Sequence, residues 1–250
     1  MMQKKSSFAR RLERLAKFSE QELACINELE ASSAYFERGS EIFSEGEMSR
    51  SAYIVQRGWG CSFKLSLNGE RQIIAIILPG DCVDLRCTLR QTNNYTFLAV
   101  TDLTVARVPA GRIEQILNKL PHLGVAMLLA TAQSDEMIVD HLMSLGRRTA
   151  IERLAHLFLE LIDRLSIVGL ATETTFDCPL TQYDLADTLG LSAIHVNRML
   201  RELRERKMMS FTDHKVELLD VGKLQELTGY HRCDNPPLIV RGGASQSDVR

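Results

Sequence analysis

Between Tyr35 and Val108 the chain changes texture, and that change constrains its fold more than any other feature. Short β-prone runs (AYIVQRG, CSFKLSL, RQIIAIIL, YTFLAV) alternate with turn signals at Gly39, Gly46, Gly58, Asn68-Gly69 and Pro79-Gly80. Short strands at regular spacing with such punctuation predict a sandwich or barrel. The flanking segments have helical spacing instead. Residues 8–30 read as helices, with Ser19 and Glu22 in a capping-box pattern before the second. GRIEQILNKL predicts a helix that stops at Pro121. Residues 122–145 then predict one long helix ending at Gly146, a candidate C-cap and hinge. RRTAIERLAHLFLELIDRL is a further amphipathic helix, followed by a polar loop to about Pro179.

The remaining C-terminal segment carries the functional signal. Two short helices are predicted over 181–189 and 192–206, joined at Gly190, with Leu185, Ala186 and Leu189 facing inward in the first. Such a pair is a helix-turn-helix. Ser192 is a natural N-cap for the second helix. There Val196, Met199, Leu200 and Leu203 form one apolar stripe, and His195, Asn197, Arg198, Arg201 and Arg204 lie on the other side. Between 192 and 207 five Lys/Arg face two acids, a surplus hidden by the chain's formal net charge of −2. The segment MMSFTDHKVELLD predicts a hairpin, a wing, with Asp213-His214 near its turn. The competing reading is a solvated helix with Arg198–Glu202 and Arg201–Glu205 ion pairs. Turn, cap, basic tip and wing in this order favour DNA binding.

Composition narrows the class further. The chain has 250 residues, 45% hydrophobic and 25% charged, which is ordinary globular composition. No apolar run reaches bilayer-spanning length, and the basic N-terminus lacks the apolar core of a secretory signal. A cytoplasmic protein without a membrane partner is therefore expected. The six cysteines include no C-x-x-C pair, so neither a zinc site nor a disulfide framework is indicated. No nucleophile elbow, P-loop or H-E-x-x-H occurs, and no enzyme is expected.

With these residues in hand, the chain resembles the cyclic-AMP receptor protein/FNR (CRP/FNR) superfamily of bacterial transcription regulators. GSEIFSEGEMSRSAYIVQRGWG and NGERQIIAIILPGD resemble its β-roll, and LTQYDLADTLGLSAIHVNRMLRELRERKMM its DNA reader, over about residues 10–225. The resemblance implies an α+β fold: an N-terminal β-roll (a cyclic-nucleotide-binding-like jelly roll), a long dimerisation helix and a C-terminal winged helix-turn-helix. The expected division is 1–30 N-terminal helices, 31–121 sensor, 122–146 dimerisation helix, 147–225 DNA-binding domain and 226–250 flexible tail. It also implies a homodimer on a palindromic site of double-stranded DNA, with RNA polymerase as a further partner. Expected DNA-contacting residues are Ser192, Ile194, His195, Asn197, Arg198, Arg201 and Arg204. In the family the arginine matched by Arg198 pairs with a guanine, and many relatives carry a base-reading glutamate where this chain has Ile194. The long helix supplies a candidate dimer seam in Val125, Leu128, Ala132, Val139 and Leu142, for which core packing within one subunit is the alternative.

Two departures from the family pattern bear on the signal. Members that bind cyclic AMP carry a G-E-L stretch after the PGD turn and an Arg-Ser pair about ten residues later. Here the segments are CVDLRCTL and NNYTF, with Arg86 and Arg90 nearby but out of register, so the arginine for the cyclic phosphate is missing and control by cyclic AMP is not expected. Only Cys25 precedes Cys61, so the N-terminal cysteines of iron–sulfur members are missing too. An effector is expected near Asp84, Leu85, Arg86 and Tyr95. No cofactor or metal is assigned, and haem stays open on the six histidines, although His122 and His141 read as packing or surface residues. Cys82 and Cys87 form a candidate redox pair, with Arg86 placed to lower a thiol pKa; two small buried hydrophobes is the plainer reading. The alternatives to a cyclic-AMP-independent regulator are a β-roll module acting through a protein partner and a redox- or haem-sensing member of the same family.

Overall fold

The computed structural model describes residues 5–48, 50–89 and 92–231. Two N-terminal helices, α1 (Ser7–Glu13) and α2 (Glu20–Leu29), precede the β region, and α2 begins with the expected capping box of Ser19 and Glu22. Eight strands follow: β1 (Ser33–Phe36), β2 (Glu41–Phe43), β3 (Ser51–Arg57), β4 (Gly60–Leu65), β5 (Arg71–Ile77), β6 (Cys82–Val83), β7 (Thr96–Ala99) and β8 (Leu103–Pro109). They form two four-stranded antiparallel sheets, ordered β1-β8-β3-β6 and β2-β7-β4-β5. Successive side chains on a strand point to opposite faces. On β3, Tyr53 and Val55 therefore enter the space between the sheets with Phe43, Phe97 and Val105, while Ala52 and Ile54 face α1, α2 and the helix after β8.

Two turns need glycine for stated reasons. Gly58 has φ +83, and a Cβ there would lie 2.0 Å from the carbonyl oxygen of Asp102. Gly80, at φ +93, lets the PGD turn approach α1, where a Cβ would sit 2.8 Å from the Ser7 carbonyl oxygen. A bulge where β4 meets β5 (the pairing skips Ile74) puts Ile73 and Ile76 on one face despite their spacing of three.

After β8 come α3 (Ala110–Lys119), α4 (Pro121–Arg147), α5 (Ala150–Val168), β9 (Thr175–Asp177), α6 (Gln182–Leu189), α7 (Ala193–Glu205), β10 (Met209–Thr212), β11 (Lys215–Leu218) and α8 (Val221–Thr228). Three expectations are corrected here. Gly146 does not end the long helix, which runs on to Arg147. The break falls at Arg148–Thr149, because Thr149 and Glu152 form the capping box that starts α5. The loop before Pro179 contains β9, which adds a third strand beside β11 through the buried Phe176. The tail does not begin at 226: α8, capped by Asp220 and closed at Gly229, buries Leu224, and the Tyr230 hydroxyl donates to Asp163 at 2.9 Å. Most of the remainder, 232–250 with Cys233, lies outside the described residues.

The β-roll and the C-terminal helices share a core. Cys61, Phe63, Ile73 and Ile76 pack in one cluster with Leu154, Phe158 and Leu161 of α5 and Leu185 and Leu189 of α6. At the edge of this core sits the buried carboxylate of Asp81. Its Oδ2 accepts from the Leu78 amide at 2.8 Å and from Arg164 Nη2 at 2.7 Å, and its Oδ1 pairs with Arg11. Arg164 also donates to the Ile76 carbonyl at 2.8 Å and to Glu160 at 2.9 Å. Burial, then the neighbouring Arg164, bring the Arg11 guanidinium down to about 10, still charged at neutral pH. A buried pair that loses one partner leaves an uncompensated charge, costing about 3–5 kcal/mol. Asp81→Ala should therefore lower the unfolding free energy by about that amount, read as a fall in the urea midpoint; an unchanged midpoint would refute the role given to this cluster.

Candidate nucleic-acid interface and effector cavity

Local chemistry builds the reader. Thr181 caps α6: its hydroxyl and amide donate to the Asp184 carboxylate at 2.6 and 3.0 Å, and the Asp184 amide donates back to the Thr181 hydroxyl at 3.1 Å. Gly190, at φ +63, ends α6 in the left-handed conformation, and Ser192 caps α7 by accepting from the His195 amide at 3.2 Å. Leu185, Ala186, Leu189, Val196, Met199 and Leu203 are buried where the two helices meet α5. The outward face of α7 presents His195, Asn197, Arg198, Arg201 and Arg204, all exposed, with Ile194 83% exposed at its tip and Ser192 exposed at the cap. Asn197 Nδ2 donates to Gln182 Oε1 at 3.3 Å.

Of the two ion pairs that would make this face merely solvated, one forms: Arg201 pairs with Glu205 at 2.8 Å. Glu202 pairs with Arg206 instead of Arg198, and among the described residues Arg198 and Arg204 have no ion pair. The wing is β10–β11, and Asp213 and His214 take φ of 50 and 59, the two positive values of a type I′ turn.

The long helix divides its faces cleanly. Leu123, Ala126, Met127 and Ala130 are buried against the sensor. Val125, Leu128, Ala132, Val139 and Leu142 are exposed, three of them by 60–69%. With Asp135 and Gly146 they run at alternating spacings of three and four, which gives the seam one heptad frame. Core packing within the subunit does not account for this face.

A cavity of about 320 Å³ lies where the β-roll, α4, α5 and α6 meet. Asp84, Leu85, Arg86 and Tyr95, the residues near which the sequence places an effector, all line it. Sequence reasoning missed the other walls: Thr131, Ser134 and His141 of α4, Glu160 and Arg164 of α5, and Thr188 of α6. On α4 these residues recur at helical spacing, but nothing local marks that face as a cavity wall. Its cations are engaged: Arg86 with Asp135 at 3.7 Å, Lys64 with Glu45 at 2.6 Å, and Arg164 with Asp81 and Glu160. Burial, reinforced by Asp84, raises the Tyr95 hydroxyl above its usual range. Burial lowers His141 below the usual histidine value, whereas His122 packs on Phe18 and meets Glu22 at 2.9 Å. Arg90 lies outside the described residues.

For the candidate redox pair, the role expected of Arg86 needs correction. Cys82 lines the cavity and packs against the cluster beneath α1–α3 in which Cys87 is buried. Burial, then Cys87, push the Cys82 thiol far up. The cation acting against that is Arg11, since Arg86 is turned to Asp135. Trp59 is a buried packing residue. Among the described residues no cluster of His, Cys, Asp and Glu is placed to hold a metal, and no helix is long and apolar enough to cross a membrane.

A β-roll joined through a long helix to a winged helix-turn-helix defines a class of transcription regulators, and comparison with known proteins agrees. Residues 34–119 match the cyclic nucleotide-binding domain family and residues 152–227 the Crp-like helix-turn-helix domain family. The nitrogen fixation regulation protein FixK of Bradyrhizobium diazoefficiens is 30% identical over 200 residues, covering 77% of this chain and 80% of its own. The transcriptional activator protein FnrL of Cereibacter sphaeroides is 28% identical over 218 residues, covering 86% and 87%. The structure of FixK2 from Bradyrhizobium japonicum superposes with a TM-score of 0.72 at 28% identity, covering 80% of this chain and 98% of that one. The chain belongs to the CRP/FNR superfamily and is a DNA-binding transcription regulator.

Proposed function

We propose that the protein works as a cytoplasmic homodimer that reads a palindromic site through α7 and takes its signal from something other than cyclic AMP. The observation that carries this reading is the exposed tip of α7, with Arg198 unpaired among the described residues, on a helix whose opposite face is buried. In a helix-turn-helix the first turns of the second helix enter the major groove. Arg198 then offers its fork to a guanine, Asn197 a donor and acceptor to an adenine, and His195 a contact to a phosphate or base edge. Ser192 lies at the entry. Ile194 cannot accept from cytosine but packs on a thymine methyl, so the half-site keeps the guanine and departs from the usual family sequence beside it. Arg201 and Arg204 hold phosphates, and RNA polymerase is the partner through which bound protein acts.

Binding-site selection with wild type, Arg198→Ala and Arg201→Ala tests the assignment. Arg198→Ala should lose about 1–3 kcal/mol of discrimination at one base position. Arg201→Ala should weaken all sequences alike and flatten the salt dependence. A motif unchanged in Arg198→Ala would refute the base contact.

The exposed heptad seam supports pairing of two α4 helices, which spaces two recognition helices for half-sites about 34 Å apart. Val139→Glu combined with Leu142→Glu should give monomers by sedimentation and abolish operator binding; a stable dimer would place the interface elsewhere.

The cavity's engaged cations support independence from cyclic AMP, because a phosphate buried there would have to take an arginine from its carboxylate partner. Calorimetric titration with cyclic AMP should show no binding at micromolar concentration. Micromolar affinity with a gain in DNA binding would overturn this.

A further inference from the structure

A second polar contact between the sensor and the C-terminal segment, besides Asp81–Arg164, lies outside the cavity and outside the DNA-contacting face. Arg71, first residue of β5, reaches across to α6. Its Nε donates to Asp187 Oδ2 at 2.7 Å and its Nη2 to Asp184 Oδ1 at 2.8 Å. The guanidinium lies over the Phe63 ring, 5.8 Å from its centroid. Next to it, Gln72 Nε2 donates to the Thr188 carbonyl at 3.2 Å. Beneath these contacts Phe63 and Ile73 share a core with Leu185 and Leu189, so the clamp sits on a packed surface.

We propose that Arg71 is a positioning residue for DNA binding: by clamping Asp184 and Asp187 to the β4–β5 hairpin, it sets the orientation in which α6 presents α7 to DNA. The proposal rests on α7 being the DNA reader. Asp184 is committed twice, since its Oδ2 completes the Thr181 cap while its Oδ1 takes Arg71. Arg71 thus grips the group that organises the start of α6, and α6 is joined to α7 by the single Gly190 turn. The rigid fork of an arginine fixes direction as well as distance.

Charge gives the clamp its sign. The first helix of a helix-turn-helix crosses the DNA backbone. Two carboxylates on α6 would oppose the phosphates there, and the cation that pairs with both, cancelling one of their two charges, comes from the sensor. In this clamped arrangement the α7 face is uncovered, so the clamp holds the reader in an orientation open to DNA.

The test uses the full-length protein and the DNA selected by the wild type, with affinity read by fluorescence anisotropy. Arg71→Gln should weaken binding roughly tenfold, a coupling of ordinary size between sites. The selected motif and the dimer mass should not change, because α7 and α4 are untouched. Arg71→Asp should be weaker still. The charge swap Arg71→Asp with Asp187→Arg should recover affinity, which a general loss of stability would not do. Unchanged or tighter binding in Arg71→Gln overturns the proposal, as does a folded swap variant that fails to recover. If the swap does not fold, Arg71→Lys keeps the charge without the fork and must fall between wild type and Arg71→Gln; any other order also overturns it. Failure of the wild type to select any DNA would instead refute the assignment of α7.

Discussion

One buried carboxylate holds the parts of this protein in register. Asp81 follows the tight Pro79-Gly80 turn and gathers Arg11 from the first helix and Arg164 from α5, residues more than 150 positions apart in the chain. Neither arginine could stay in so dry a place without a counter-charge, because the cost of stripping water from a charge is recovered only by close, well-directed partners. The carboxylate in turn depends on the Leu78 amide and on the turn geometry that Gly80 alone permits. N-terminal helices, β-roll and C-terminal helices thereby meet at one point. The turn chemistry of the sensor consequently governs where α5, and every element after it, begins its packing.

What was legible in the sequence was local chemistry. The caps at Ser19 and Ser192, the Gly190 turn and the Asp213-His214 hairpin each depend on a few neighbouring residues, and each lies where its residue types require. What stayed hidden depends on partners far along the chain. β9 is three residues long and exists because β11 offers it an edge. Arg86 is next but three to Cys82 in sequence yet turns to Asp135, while Arg11, remote in sequence, is the cation near that thiol. Glu202 had two arginines at helical spacing, Arg198 and Arg206, and took the later one. Propensity and spacing allow both pairings, so the sequence leaves that competition open. Asp84, Leu85, Arg86 and Tyr95 come from nearby β-roll segments and share one cavity wall. The α4, α5 and α6 walls come from elements whose juxtaposition only the tertiary fold reveals.

The long helix shows how one element can serve three surfaces. Its first turns are buried in the sensor core, one stripe is left to solvent as a heptad seam, and a third set (Thr131, Ser134, Ile138, His141) lines the cavity. Asp135 belongs to two of these, since it lies on the line of the seam and pairs with Arg86 from the cavity wall. A helix is rigid along its axis, so displacement at the cavity is carried to the seam without a flexible joint between them. The break at Arg148–Thr149 is the first place where the backbone leaves helical geometry, and Arg153 of α5 spans it by donating to the Arg148 carbonyl at 3.0 Å.

A ligand moves an equilibrium only by the difference in its affinity for two states. A pocket enclosed within the β-roll would feel the reader's position weakly. This cavity has walls from the β-roll, α4, α5 and α6, and Thr188 on α6 lies one residue past Asp187, the outer anchor of the Arg71 clamp. A molecule bound there would contact the sensor and the reader at once, and its binding energy would depend directly on how the two are docked. The same geometry works in reverse. DNA that fixes α6 and α7 also fixes one wall of the cavity, so linkage requires the bound site to alter affinity for the occupant by the same factor. Coupling between a ligand in this cavity and DNA would then need no chain of intermediaries, because both would bear on α6.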